Sequence, residues 1–311
     1  MKNLIILTFI LSSFHSFGQP SPQEKYPERI KAITEQLKTD SLNYELIWER
    51  LEMKVNLMGG FGMQDEIFYP RKDDSVRRIK IRELYFDEFN TDFNKIYNNI
   101  IKPKKYDIVE EGDFYLNRIW FYYNMTEIDK AIEDAIYLRD TASYSRFWER
   151  GNYYNNWALY SLFNLYVINN QYKEALETID VMLEKKKKEN PKVYFSGHGS
   201  FLSYMDKIRL FEHFNQKDKI IPFLKENCTE HFSWYFKNAT KSKDYYIETT
   251  KDQSFYFLKQ LLDYMRKFND KELSKYEKIY NQLRYQMNES YETINPNISD
   301  SRLKSIVSEI K

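Results

Sequence analysis

Beyond residue 18 the chain has one cysteine and three histidines, and two of these four stand close together. Cys228 and His231 are spaced Cys-x2-His, with Glu226, Glu230 and His213 not far away in sequence. A thiol beside an imidazole can be a nucleophile with its base, or two ligands of a zinc ion. No second Cys-x2-Cys or His-x3-His arm completes a structural zinc site. A hydrolase would also need an orienting third group and an oxyanion pocket, which the sequence does not display. A buried, unreactive cysteine is the commoner use of the residue, so both readings stand side by side.

Other clusters point to less chemistry. Gly59-Gly60-Phe61-Gly62 continues as Met63-Gln64-Asp65, without the Gly-Lys-Ser/Thr that grips phosphate in a Walker loop, and reads as a turn. His198, between Gly197 and Gly199, is expected on an exposed loop. Asp73-Asp74, Glu110-Glu111 and Glu133-Asp134 are adjacent acids, and neighbours on a helix point in different directions. The densest basic stretch, Arg77-Arg78-Ile79-Lys80-Ile81-Arg82, lies between Asp73-Asp74 and Glu83 and reads as a neutralised helix start rather than a nucleic-acid site.

The elements that would position such residues follow from composition and periodicity. The 311 residues carry 47 Lys+Arg against 46 Asp+Glu, which gives no global reason to bind nucleic acid or an anionic membrane. With 42% hydrophobic residues and 54 aromatics (27 Tyr, 22 Phe, 5 Trp), the chain is too apolar to be disordered. A single cysteine excludes an internal disulfide framework. Lys2, the apolar run Leu4 to Leu11 and the exit Ser16-Phe17-Gly18 have the layout of a secretory signal peptide over residues 1–18, cut before Gln19. That run is shorter than the roughly 20 residues a membrane helix needs, and no later stretch is apolar enough. An exported protein is expected, in the periplasm, at the cell surface or secreted.

Helical spacing dominates from residue 28 on, and strands are expected to be almost absent. Phe86, Phe89, Phe93, Ile96 and Ile100 draw one apolar stripe; Leu159, Leu162, Leu165 and Tyr166 draw a second, closed by Asn169-Asn170. Leu176, Ile179 and Leu183 draw a third, ending in the lysines 185–188 before Pro191. Short polar turns recur, each opening a second helix, and placing Ala131, Ala175, Ile220 and Leu273 in register gives spacings of 44, 45 and 53 residues. Long loops are expected over Leu57–Asp73, Glu189–Phe201 and Cys228–Thr250. A last helix, capped by Asp300 or Ser301, would carry Leu303, Ile306, Val307 and Ile310 over the final apolar face.

With Leu159, Leu162, Phe163, Tyr166, Ala175 and Ile179 in the slots of W-x2-L-G-x2-Y and A-x3-F, and Trp48, Leu51 and Val55 as a partial second match, the chain resembles the tetratricopeptide repeat family. Glu52, Ile119 and Phe163 depart from it by filling slots for small residues, and Arg118 stands where the family has Leu. The resemblance implies an all-α, right-handed α-solenoid of antiparallel helix pairs over residues 19–290, followed by a tail with a capping helix over 291–311. It further implies a concave groove lined by first helices: Asp113, Leu116, Trp120 and Tyr123, then Trp157, Tyr160 and Asn164, then Met205 and Arg209. Tyr and Trp are favoured anchors in such grooves. The expected function is a non-enzymatic scaffold or adaptor of the cell envelope, binding a protein or peptide with no cofactor, metal or nucleic acid. Carbohydrate binding, with aromatics stacked on sugar faces, and a Cys228/His231 enzyme or metal protein are the alternatives.

Overall fold

The computed structural model describes residues 25–57, 83, 86–141, 148–196, 201–239, 245–288 and 291–310. The expected leader over residues 1–18, Gly59–Gly62, the basic stretch Arg77–Arg82 and His198 lie outside them. The fold is all-α apart from one small hairpin. It divides into two compact units, one ending at Asn169 and the other running from Asn170 to Lys311.

In the first unit, α1 (Tyr26–Thr39) and α2 (Tyr44–Leu57) form a hairpin. Next comes α3, helical over residues 86–96 and running into a π-helical turn, Tyr97–Ile101. Then α4 (Glu111–Asn124), α5 (Ile128–Thr141) and α6 (Trp148–Ile168) pack on one another in sequence. The predicted stripe on α3 is buried at Phe89, Phe93, Ile96 and Ile100, and only Phe86 stays exposed. Phe89 and Phe93 each meet Phe121 of α4 with ring centroids 5.0 Å apart.

Ion pairs also cross-link these helices from inside. Arg50 of α2 donates twice to Asp92 of α3, at 2.9 and 2.6 Å, and to Thr34 Oγ1 of α1 at 3.0 Å. Lys54, one turn along, is fully buried between Glu88 and Asp92. Arg118 of α4 donates at 2.6 and 2.5 Å to Asp134 of α5. Its guanidinium lies 4.9–5.7 Å from the ring centroids of Tyr115, Phe114, Tyr97 and Tyr122. That cage explains why an arginine stands where a repeat would carry Leu.

In the second unit, α7 (Tyr172–Glu189) is followed by the short α8 (Pro191–Phe195), α9 (Phe201–His213), α10 (Ile220–Asn238), α11 (Tyr245–Phe268) and α12 (Leu273–Leu283). Within this unit α10 and α11 pack closely on one another. The expected loop over Glu189–Phe201 is partly helical, because Asn190 caps α8 by accepting from the Val193 N–H and Pro191 suits a first turn. The expected loop over Cys228–Thr250 is mostly helix as well. Cys228, His231, Phe232 and Tyr235 keep the helical period on the buried face of α10, while Thr229 and Ser233 face outward.

Strands are scarce among the described residues, as expected, and form one hairpin: β1 (Arg284–Asn288) pairs antiparallel with β2 (Tyr291–Ile294), matching Arg284 with Ile294 and Gln286 with Glu292. Glu292 is held by Lys259 and Tyr280, and Thr293 donates to Asp252 at 2.7 Å, so the hairpin is fastened to α11 and α12. The expected cap of the last helix, Asp300 or Ser301, is corrected. The cap of α13 (Asp300–Val307) is Ser299, which accepts from the Arg302 N–H; Asp300 instead accepts from Tyr235 of α10 at 2.9 Å. Leu303, Ile306, Val307 and Ile310 are buried as expected.

The recurrent turns have one backbone signature. Thr126, Asn170, Asn215 and Asn269 all have positive φ, between 52° and 61°, at spacings of 44, 45 and 54 residues. Around Thr126 the N–H of Thr126 bonds Tyr123 O and that of Glu127 bonds Tyr122 O; Asn215 with Gln216, and Asn269 with Asp270, repeat the pattern. This is the Schellman closure of a helix end. Asparagine tolerates this left-handed conformation, whereas β-branched threonine is strained in it by about 1–3 kcal/mol. Thr126→Gly is therefore expected to raise the unfolding free energy by about 1 kcal/mol after the entropy cost of glycine, with Thr126→Asn in between. Urea unfolding measures this, and a loss of stability in both variants would contradict the assigned turn.

Candidate functional site

Three helices of the first unit enclose a cavity of about 180 Å³. Glu52, Val55 and Asn56 share one face of α2, at i, i+3 and i+4. Asp113, Leu116, Asn117 and Trp120 share one face of α4, and Tyr153 of α6 completes the lining. Among these described residues are two carboxylates and no Lys, Arg or His.

The acids are shaped by their surroundings. Burial raises the pKa of Glu52, and the charge of Asp113 raises it further, while a hydrogen bond from Trp48 pulls it down. The charges acting most strongly on Glu52, those of Asp113 and Glu49, are both negative. At the start of α4, where the helix dipole favours anions, tyrosine hydroxyls hold the carboxylates. Tyr106 and Tyr137 donate to Glu111 at 2.9 and 2.6 Å, and Tyr154 to Glu110 at 2.8 Å. Burial, then that bond to Glu110, pushes the Tyr154 pKa up. Its ring lies so close to Gly112 that a Cβ there would sit 2.5 Å from it, which is why a glycine stands inside α4 beside Asp113.

The structure brings three of the expected groove residues into this cavity: Asp113, half-buried, and Leu116 and Trp120, both buried. Tyr123 is partly exposed and meets Trp120 edge-on at 6.5 Å. On α6, Tyr153, Trp157 and Tyr160 form an edge-to-face ladder with centroids 6.2 and 5.6 Å apart, and Tyr153 at its end is 47% exposed. Asn164 is fully buried and donates to Tyr160 O at 2.8 Å, so its side chain does not reach the surface. Met205 and Arg209, both partly buried, belong to α9 of the second unit; Arg209 reaches the buried Asp206 at 3.3 Å. Glu52, Val55, Asn56, Asn117 and Tyr153 were not expected in the site. The one sequence signal among them was Glu52, a carboxylate in a slot that a packed helix pair reserves for a small residue.

Cys228 and His231 lie on one helix but have separate environments. Both are fully buried. The Cys228 thiol donates to Ser254 O of α11 at 3.7 Å, and burial pushes its pKa up, so it stays protonated. His231 Nδ1 lies 2.9 Å from Asn227 O on its own helix, and the ring is boxed by Phe257, Phe195, Tyr204 and Tyr194 at 4.7–6.0 Å. Burial lowers the His231 pKa to about 4, against the opposing hydrogen bond to Asn227. His213 is exposed and edge-on to Phe214 at 4.9 Å. Among the described residues no three His, Cys, Asp or Glu side chains converge as a metal site. Reactivity follows the thiolate and access. An aromatic disulfide reagent at neutral pH is thus expected to modify Cys228 at least ~10³-fold more slowly in the folded chain than in urea. Comparable rates would put a reactive thiol back in contention.

Compared with known proteins, the chain matches no family model, no curated protein and no solved structure.

Proposed function

We propose that the chain is a non-enzymatic, exported helical-repeat protein that acts as a scaffold or adaptor in the cell envelope and binds a protein or peptide. The observation that carries this reading is the ladder Tyr153–Trp157–Tyr160 on α6, partly exposed, with Tyr153 shared by the cavity between α2 and α4. Large aromatic side chains with polar tips lose little entropy on binding and dominate protein interfaces. The recurrent left-handed turns support a repeat array of the tetratricopeptide kind. Continuation of its hairpins as a right-handed solenoid belongs to the same reading, as does a leader over residues 1–18. In the described residues no helix is long and apolar enough to cross a membrane.

The test is crosslinking capture from intact cells, using tagged full-length chain with and without Trp157→Ala and Tyr160→Ala together. The expected result is one dominant envelope protein that the double variant no longer captures, with helicity unchanged and a stability loss within about 2 kcal/mol. Unchanged capture would overturn the binding role of the ladder. A collapse of thermal stability would assign both residues to the core instead.

A further inference from the structure

We propose that His231 is an acid-operated latch of the second unit: a proton taken up there frees the short helix α8 from the face of α10. The inference is independent of the protein-binding reading above. Four helices meet at this imidazole. Around the ring stand Tyr194 and Phe195 of α8 at 6.0 and 5.0 Å between centroids, Tyr204 of α9 at 5.7 Å and Phe257 of α11 at 4.7 Å. Phe195 also stacks on Trp234 of α10 at 5.0 Å. Two neighbouring rings of α8 thus close on His231 and the residue three further along the same helix.

The box suits a neutral ring. Asn227 O is a carbonyl, so Nδ1 carries the proton and donates to it at 2.9 Å, which leaves Nε2 as an acceptor. Nε2 and the Tyr204 hydroxyl are both buried, and neither has a hydrogen-bond partner among the described residues. A second proton would place a donor and a full charge at Nε2, inside aromatic walls, where a buried charge without a partner is costly.

The surrounding titratable groups do not offset that charge. On α7, Lys187 pairs with Glu230 of α10, and its positive charge acts against a cation at His231. Glu184 of α7 and Glu226 and Glu230 of α10 act on Tyr194 and Tyr204, the titratable groups that α8 and α9 turn to the box. Lys207 of α9 lies over Phe223, two turns before His231, and pairs with Asp180. Cys228 of α10 donates to Ser254 O, and the buried face of α11 carries no titratable side chain. Burial holds the His231 pKa at about 4, with the bond to Asn227 opposing it and Lys187 adding to it.

An opened box returns the ring to water and to its ordinary pKa of 6.5, so protons favour the open form. The stability that closure contributes is complete above about pH 6.5 and is lost as the pH falls toward 4. The element that leaves is α8, because it has 5 residues against 13, 19 and 24 in α9, α10 and α11.

The experiment follows amide exchange of the full chain from pH 7 to pH 5 at Tyr194 and Ser196, whose N–H groups close α8 on Asn190 O and Lys192 O at 2.9 and 3.1 Å. Their protection factors, corrected for the intrinsic pH dependence of exchange, should fall roughly 20-fold. In His231→Phe, which keeps a ring in the box but takes up no proton, they should change less than about 3-fold. Tyr204→Phe removes a hydroxyl that does not titrate in this range and should keep the full fall. His231→Gln, with the same expectation, replaces His231→Phe if that variant lacks the wild-type circular dichroism at pH 7. No fall in the wild type, an undiminished fall in the His231 variant, or loss of the fall in Tyr204→Phe overturns the proposal. So does an equal fall at Leu258 and Leu261 of α11, which would mean that the whole unit unfolds.

Discussion

An antiparallel helix pair exists only if the chain reverses within a few residues while the last carbonyls of the first helix still find partners. In this protein the closure depends on one residue per turn adopting a left-handed backbone, at Thr126, Asn215 and Asn269. The closing hydrogen bonds set the angle at which the next helix departs, and so decide which faces meet. Ala131, Ala175 and Ile220 each lie five residues after such a turn and are completely buried. The apolar seams that follow these turns are consequences of that geometry. Lys104 takes the same conformation at the end of α3, with φ of 62° and the same pair of hydrogen bonds, so the device is used outside the regular spacing as well.

The aromatic excess has a second role besides filling cores. Rings surround the Arg118 guanidinium and tyrosine hydroxyls satisfy Glu110 and Glu111, so charge is kept inside or at the edge of the fold without leaving polar groups bare. Such arrangements are brittle in a defined way. Removing one member of a buried pair strands its partner at a cost of about 3–5 kcal/mol, whereas an exposed pair contributes under about 1 kcal/mol. By that measure Arg50–Asp92 and Arg118–Asp134 lock helices together, and the exposed Lys38–Glu35 bridge is incidental.

Much of the helical architecture was legible from spacing alone, because apolar residues at three and four apart have few alternatives to a helix seam. The turns were legible too, since short polar runs opening with Asn170, Asn215 and Asn269, or with Thr126, stand out between aromatic stripes. The hairpin Arg284–Ile294 was not, because its turn lacks the Asn-Gly signal and its strands are fastened by Lys259, Tyr280 and Asp252 from far along the chain. The helical stretch after Cys228 was hidden by its many polar residues, of which Thr229 and Ser233 face outward while His231 lies on the buried face. At the site, register set Asp113, Leu116 and Trp120 on one helix face, and all three line the cavity. It could not place Glu52 or Tyr153 against them, because nothing in local sequence reports which faces of α2, α4 and α6 approach one another. Asn164 fell on the expected face by register but is buried.

The most direct test of the turns is amide hydrogen exchange at residues just beyond them. Glu127, Gln216 and Asp270 donate to carbonyls five residues back, at 2.9, 2.7 and 2.9 Å. Their N–H groups should therefore exchange as slowly as those of the adjoining helices, although their side chains belong to surface turns. Exchange at the rate of an unstructured peptide for all three would contradict the left-handed closures and the hairpin array built on them.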